Sequence, residues 1–169
     1  MNDEMLQMVV NGLDEVGENW RIIFRPHPRE EDYDKSLREN LLLRQKTLNI
    51  GGSLAELVVA VDLSVMTLNT DLIAAAYLGK PVIYMDTCSV RQRAIEHGVG
   101  PVWFPARAGA CWRERDIDEM TKAIQDSLDE KAVAVLQARQ KIVYPTPEHA
   151  GQTTEEKIMD YIERLMASK

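Results

Sequence analysis

The sequence predicts an α/β domain, in which about five short strands form a mostly parallel sheet with helices on both faces. The prediction rests on the order of the elements. Short apolar runs alternate with segments of helical periodicity along the chain, and strands that alternate with helices in this way usually pair in parallel. No repeat or low-complexity tract divides the 169 residues, so residues 1–169 are expected to form a single domain.

Five short apolar runs are predicted to be strands. The first of them ends before Pro26 and Pro28, because proline cannot continue a central strand. In chain order the predicted strands are 20–24, 47–50, 63–66, 81–85 and 101–104. A loop over 105–115 follows the last of them.

The segments between the strands carry apolar residues three and four apart, which predicts amphipathic helices. Ser53 and Glu56 have the spacing of a capping box, and Asp116 is placed to cap a later helix. The predicted helices cover 2–17, 32–44, a short segment after Ser53, 69–78, 89–97, 116–128, 131–141 and a segment after Thr153. This order of helices and strands predicts a Rossmann-like fold of three layers.

Charge and composition exclude several function classes. Twenty Lys and Arg against 27 Asp and Glu give a net charge of −7, which argues against a nucleic-acid partner. No apolar run is long enough to span a membrane, and the acidic start does not read as a signal peptide. Two cysteines are too few for a disulfide framework. A cytoplasmic protein without a transmembrane segment is expected.

The first candidate site is the run Arg25-Pro26-His27-Pro28-Arg29, which leaves the end of a predicted strand. Two prolines fix the backbone around His27. An imidazole between two arginines can bind a phosphate or a sugar hydroxyl. The alternative is that His27 only forms a hydrogen bond with a carbonyl of its own loop.

The second candidate site comprises Thr67, Asn69, Thr70 and Asp71, at the start of an alanine-rich helix. A helix start presents unpaired N–H groups and a partial positive charge, which together favour an anion. Thr and Asn side chains can add donors to a diphosphate. Ordinary helix capping explains the same residues without a ligand and is at least as common.

The remaining candidates are weaker. The glycines Gly98 and Gly100 and the arginines of the 105–115 loop form a third segment, for which a plain turn and a solvated basic loop are the more frequent explanation. These arginines are Arg107, Arg113 and Arg115. Cys88 and Cys111 have no local base partner, and no nucleotide-binding glycine motif or metalloprotease motif is present.

An ordered set of motifs resembles the C-terminal half of GT-B fold glycosyltransferases, most closely the CDP-glycerol glycerophosphotransferase and capsule polysaccharide transferase group. The set covers most of residues 20–165, and the order of the motifs is more specific than any one of them. Its members are Arg25-Pro-His-Pro-Arg29, Ala60-Val-Asp-Leu-Ser64, Asn69-Thr70, Ala75-Ala-Tyr-Leu-Gly-Lys-Pro-Val-Ile83 and Gly151-Gln-Thr-Thr-Glu-Glu-Lys-Ile-Met-Asp-Tyr-Ile162.

The resemblance implies a half that binds a nucleotide-activated sugar or polyol as substrate, in the synthesis of a surface polysaccharide or a teichoic-acid-like polymer. It implies that His27 approaches the donor phosphates and that Asn69 and Thr70 bind the diphosphate. No metal and no separate cofactor is implied, and the catalytic residues are not identified. Where related sequences place an acid that binds ribose, this chain has Ala74.

The length adds one expectation, because GT-B enzymes act in the cleft between two Rossmann-like halves. The chain matches one half and is expected to lack the first strand of that half, which would leave an edge for an N-terminal partner half or a second copy. Two alternatives stay open: a non-catalytic α/β interaction module that kept the fold without the site, and a fragment similar to nucleotide-sugar epimerases.

Overall fold

The computed structural model describes residues 3–17, 19–23, 46, 48, 53–68, 70–145, 151, 153 and 156. Within these ranges the chain forms seven helices and three strands. In chain order they are α1 (Asp3–Val16), α2 (Leu54–Ala60), β1 (Ser64–Met66), α3 (Asp71–Tyr77), β2 (Val82–Met85), α4 (Cys88–Glu96), α5 (Phe104–Arg107), β3 (Trp112–Glu114), α6 (Ile117–Leu128) and α7 (Glu130–Val143).

The strands form a parallel sheet in the order β1-β2-β3, so the predicted α/β class with a parallel sheet is confirmed. Met66 pairs with Tyr84, and Tyr84 pairs with Arg113. A helix connects each strand to the next, as parallel pairing requires. All three strands therefore end at the same edge of the sheet, here called the carboxyl edge.

The central strand β2 is the core of the described sheet. Its four side chains, Val82 to Met85, are all 0% exposed. Successive side chains of a strand point to opposite faces, so both faces of β2 must be covered. Helix α3 packs against β1 and β2, and helix α6 packs against β3.

Helix α1 is attached to the domain through α6. Gly12 of α1 is buried, and a Cβ atom at this position would lie 2.9 Å from Ile124 Cδ1 and 3.2 Å from Met120 Cγ. The absence of a side chain thus lets the two helices approach closely. Trp20, just after α1, is fixed by a hydrogen bond from its Nε1 to Asp14 Oδ1 at 3.1 Å.

Two of the predicted helix starts have the capping hydrogen bonds that their sequences predict. Ser53 Oγ accepts a hydrogen bond from the Glu56 N–H at 3.3 Å, and Glu56 Oε2 accepts one from the Ser53 N–H at 2.7 Å. Asp116 Oδ1 likewise accepts a hydrogen bond from the Glu119 N–H at 2.9 Å. The capping box and the later Asp cap are both confirmed.

The predicted strand at 101–104 is wrong. Phe104 begins the short helix α5, and Pro105 lies in its first turn. The N–H groups of a first turn have no partner within the helix, so the missing N–H of proline removes no hydrogen bond there. The strand of this region is β3 at Trp112–Glu114, inside the predicted loop 105–115. The sequence pattern did not predict β3 as a strand, because two of its three residues are charged.

The described sheet has three strands where five were predicted. The predicted strand 20–24 is described over residues 20–23, which do not form a regular strand, and the predicted strand 47–50 is described at residue 48 alone. The predicted helices 32–44 and after Thr153 lie outside the described residues, apart from Thr153 and Glu156. Ile22 nevertheless donates its N–H to the Lys46 carbonyl at 3.0 Å and accepts from the Leu48 N–H at 2.8 Å. When one residue forms hydrogen bonds with two residues that lie two positions apart in another segment, the pattern is that of a parallel bridge.

No helix in the described part of the chain has both the length and the apolar content that a membrane crossing requires.

The close approach of α1 and α6 gives a stability prediction. Gly12→Val is expected to lower the free energy of unfolding by about 1–3 kcal/mol, because its side chain must displace Ile124 and Met120. Urea unfolding measures the change. Asn11→Val is the matched control, since Asn11 is exposed and the two residue types have similar helix propensities. Equal losses in the two variants would contradict the packing role of Gly12.

Candidate functional site

The carboxyl edge collects the polar residues that follow the three strands. Thr67 follows β1, Asp86 and Thr87 follow β2, and Arg115 follows β3. Ligands of open parallel α/β sheets bind at this edge. The edge is therefore the candidate site, and its chemistry depends on what each strand end presents.

Asp86 is the most unusual of these residues, because its side chain is 0% exposed and charged groups are seldom fully buried. Its N–H donates to the Glu114 carbonyl at 2.7 Å, which extends the β2–β3 ladder by one bond. A buried carboxylate needs compensating charge. Two arginines provide it.

Both arginines donate to the same carboxylate oxygen, Asp86 Oδ2. Arg113 does so from Nε at 2.7 Å, and its Nη2 forms an ion pair with the same oxygen at 2.5 Å. Arg91 does so from Nη2 at 3.1 Å, and the same nitrogen lies 3.3 Å from the Asp86 carbonyl oxygen. The side chains of Arg91 and Arg113 are 36% and 35% exposed, so each guanidinium bridges the interior and the solvent.

Several buried polar atoms here have no hydrogen-bond partner within the described part of the chain. They are Tyr84 Oη, Asp86 Oδ1 and Arg91 Nε. Such atoms are rare in proteins. Burial, followed by the nearby charge of Asp86, raises the pKa of Tyr84 to about 12, so this phenol stays protonated at neutral pH. Its ring packs against Trp103 with centroids 5.9 Å apart.

Glu114 ends β3 with its side chain on the opposite face from Arg113, since neighbouring strand residues alternate. It is 8% exposed. Burial, with smaller contributions from Glu119 and Asp116, raises the pKa of Glu114 to about 7. The carboxyl edge thus has a paired, buried carboxylate on one face and a carboxyl group that titrates near neutral pH on the other.

Three of the predicted site residues, Thr67, Thr70 and Asp71, follow β1 at this edge. Thr67 and Asp71 are half-buried, and Thr70 is exposed. Thr70 precedes α3, but its side chain makes no capping hydrogen bond and its backbone is already helical, with φ −62° and ψ −22°. Capping therefore does not explain the hydroxyl of Thr70.

Four other predicted site residues, Arg25, His27, Arg29 and Asn69, lie outside the described residues. The structure therefore does not test whether they meet Thr67, Thr70 and Asp71. Ala74, at the position where the related group has an acid, is exposed on α3.

The weaker candidate residues differ in their contacts and in their exposure to solvent. Of the arginines, Arg113 joins Asp86, Arg115 pairs with Glu119, and Arg107 is exposed in the last turn of α5. Cys88 is exposed at the start of α4, whereas Cys111 is buried, which raises its pKa to about 12 and disfavours the nucleophilic thiolate.

Sequence reasoning missed Asp86 and Arg91. Asp86 directly follows an apolar strand, and this position was a usable signal, because polar residues at the carboxyl ends of parallel strands face the ligand edge. Arg91 carries no comparable signal, since an arginine in the first turns of a helix is usually solvated. Only the contact with Asp86 distinguishes it.

One cavity among the described residues lies at the opposite, amino edge of the sheet. It measures about 470 Å³ and is lined by residues that include Asp62 before β1 and Pro81 before β2. Lys80, also in its lining, donates from Nζ to the carbonyl oxygens of Val59 at 2.6 Å and Val61 at 3.1 Å. These bonds join the end of α2 to the start of β2, so Lys80 stabilises the fold at this edge.

No cluster of three or more His, Cys, Asp and Glu side chains that could hold a metal ion occurs in the described ranges. Comparison with protein-family models, with curated proteins and with solved structures finds no match to this chain. The features that bear on function are therefore the carboxyl edge and the sequence motifs.

The raised pKa of Glu114 predicts a pH dependence of stability. The folded state binds this proton more tightly than the unfolded state, so stability is expected to fall as pH rises from about 4.5 to about 7. The loss reaches about 3 kcal/mol, since one pKa unit corresponds to 1.36 kcal/mol. Urea unfolding between pH 5 and pH 8 measures it.

Glu114→Gln is expected to remove this component of the pH dependence and to be more stable than the wild type at pH 8. Glu96→Gln, at an exposed position on α4, is the control and should retain the wild-type profile. Parallel pH profiles for the wild type and Glu114→Gln would refute the assignment.

Proposed function

We propose that this chain is the donor-binding half of a GT-B glycosyltransferase or glycerophosphotransferase. It binds a nucleotide-activated sugar or polyol at the carboxyl edge of a Rossmann-like sheet. The observation that carries the proposal is the placement of polar residues at one edge of a parallel sheet. Thr67, Thr70 and Asp71 follow β1, and Asp86, which follows the neighbouring strand β2, pairs with Arg91 and Arg113. Hydroxyls and guanidinium groups are the donors that a diphosphate takes.

Two further observations support the proposal. The motif order Arg25-Pro-His-Pro-Arg29, Asn69-Thr70 and Leu78-Gly-Lys-Pro81 resembles that of the transferase group. The structure leaves the hydroxyl of Thr70 without a capping role, which weakens the competing explanation of that motif. With an overall charge of −7, an anionic donor needs local positive charge of this kind.

In glycosyl transfer an acceptor oxygen bonds to the donor carbon while the bond between that carbon and the diphosphate breaks. In glycerophosphate transfer the acceptor oxygen bonds to the distal phosphorus, and the bridging P–O bond of the diphosphate breaks to release a nucleoside monophosphate. In both reactions negative charge develops on the leaving phosphate oxygen. Positive and hydrogen-bonding groups placed at this oxygen stabilise the transition state. His27, Arg25 and Arg29 take this role in the proposal, and the base that activates the acceptor belongs to a partner half. The transfer of the sugar or polyol phosphate is expected to take place in the cytoplasm, during the synthesis of a surface polysaccharide or a teichoic-acid-like polymer.

The direct test is stabilisation by nucleotides. CDP-, UDP- and GDP-linked sugars or polyols are each added to the chain, and the melting temperature is recorded. The correct class, at about 100 times its Kd, is expected to stabilise the fold by about 2.7 kcal/mol. His27→Ala should reduce this shift, and His97→Ala, at the exposed end of α4, should not. Absence of stabilisation by every ligand at millimolar concentration would favour the interaction module.

Thr70 gives a separate prediction. Thr70→Val is expected to change the free energy of unfolding by less than about 0.5 kcal/mol, because its hydroxyl makes no capping bond. The same change should weaken nucleotide binding about tenfold, because a hydrogen bond to a charged group is lost.

Thr70→Ser keeps the hydroxyl and should bind like the wild type. Unfolding experiments and calorimetric titration of the two variants provide both values. Destabilisation by Thr70→Val without a change in affinity would restore the capping explanation.

A further inference from the structure

The two arginines that hold Asp86 have donors that the described protein does not use. A guanidinium group has five N–H donors. Arg113 uses Nε and Nη2 towards Asp86, and Arg91 uses Nη2 alone. Arg91 Nε is buried without a partner in the described part of the chain.

The arrangement also brings two positive charges close together. Because both guanidinium groups bond the single atom Asp86 Oδ2, they lie within a few ångströms of each other. One carboxylate compensates only one of the two charges. Asp86 alone therefore does not neutralise both guanidinium groups. Glu119, which pairs with Arg115, also interacts electrostatically with Arg113.

The start of α4 adds to this charge. The helix has nine residues and no acidic residue in its first turn, and it begins directly after Asp86 and Thr87, with Arg91 as its fourth residue. Thr87 Oγ1 accepts a hydrogen bond from the Val90 N–H at 3.5 Å. Unpaired N–H groups at a helix start attract anions. The buried Asp86 Oδ1 and Tyr84 Oη, both without partners among the described residues, show that polar groups here are not all satisfied internally.

We infer that Arg91 and Arg113, positioned by Asp86, form a phosphate-binding site. This inference rests on the proposed function and assigns the site to the diphosphate of the donor. A guanidinium group suits this ligand, because its planar fork matches two oxygens of a phosphate and it stays charged at every physiological pH. Asp86 is a positioning residue, since its carboxylate sets where the two forks lie.

The test uses inorganic pyrophosphate as the probe, with isothermal titration of the full chain. Arg91→Gln and Arg113→Gln are each expected to weaken pyrophosphate binding about tenfold or more, because a charged hydrogen bond is removed. Arg93→Gln is the matched control, since Arg93 is exposed on the same helix and should change the affinity less than about twofold. Equal weakening in all three variants would overturn the inference, because it would reduce the effect to net charge.

A second measurement records binding on the wild type itself and uses variants only to assign signals. The Nε–H signals of the arginines are followed by nuclear magnetic resonance while pyrophosphate is added to the wild type. The signals of Arg91 and Arg113 are expected to shift at the same ligand concentration, and that of Arg93 to stay fixed. Arg91→Lys and Arg113→Lys keep the compensation of Asp86 and serve to assign the signals. Stationary signals for both arginines would overturn the inference.

The outcomes separate this inference from the proposed function. If a nucleotide-linked donor binds but the Arg91 and Arg113 variants bind it like the wild type, the inference fails and the function stands. If pyrophosphate binds through the two arginines but no nucleotide binds better, the phosphate site stands and the donor function fails. Binding of neither ligand to the wild type overturns both.

Discussion

The buried charge of Asp86 is the constraint on which the carboxyl edge of the sheet depends. A carboxylate with no solvent exposure must find positive charge inside the fold. One partner, Arg91, comes from the helix that follows β2, and the other, Arg113, comes from the neighbouring strand β3. The ion pairs thus join a helix and two strands at the edge where an α/β sheet binds its ligands. Because Arg113 is 27 residues away in the chain, the arrangement exists only when β2 and β3 are paired.

The same edge separates two carboxyl groups by environment. Asp86 and Glu114 are joined through a backbone hydrogen bond of 2.7 Å, where Glu114 ends β3 and Asp86 directly follows β2. Asp86 faces two arginines, whereas Glu114 is buried on the other face, and its pKa rises to about 7 because of burial and the charges of Glu119 and Asp116. The alternation of side chains along a strand is enough to place neighbouring carboxyl groups in these opposite surroundings.

Local chemistry explains which elements the sequence predicted well. Helices α2 and α6 begin at Ser53 and Asp116, whose side chains bond N–H groups three residues ahead, and this information is contained in four residues. Strand β2 is a short, uninterrupted apolar run, and such a run is typical of a fully buried strand. Strand β3 was missed because Arg113 and Glu114 read as loop residues, and only their partners in the fold make a buried charged strand end stable.

The sequence by itself determined the α/β class, the parallel pairing that follows from alternating helices and strands, and the position of Thr67, Thr70 and Asp71 at a strand end. It could do so because periodicity and capping act over a few residues. Only the tertiary structure decided that Asp86 is buried, that Arg91 and Arg113 share one of its oxygens, and that Thr70 does not cap its helix. The burial of Asp86 and its contact with Arg113 depend on the pairing of β2 with β3, which lie far apart in the chain, and burial changes the energy of a charge by more than any local preference.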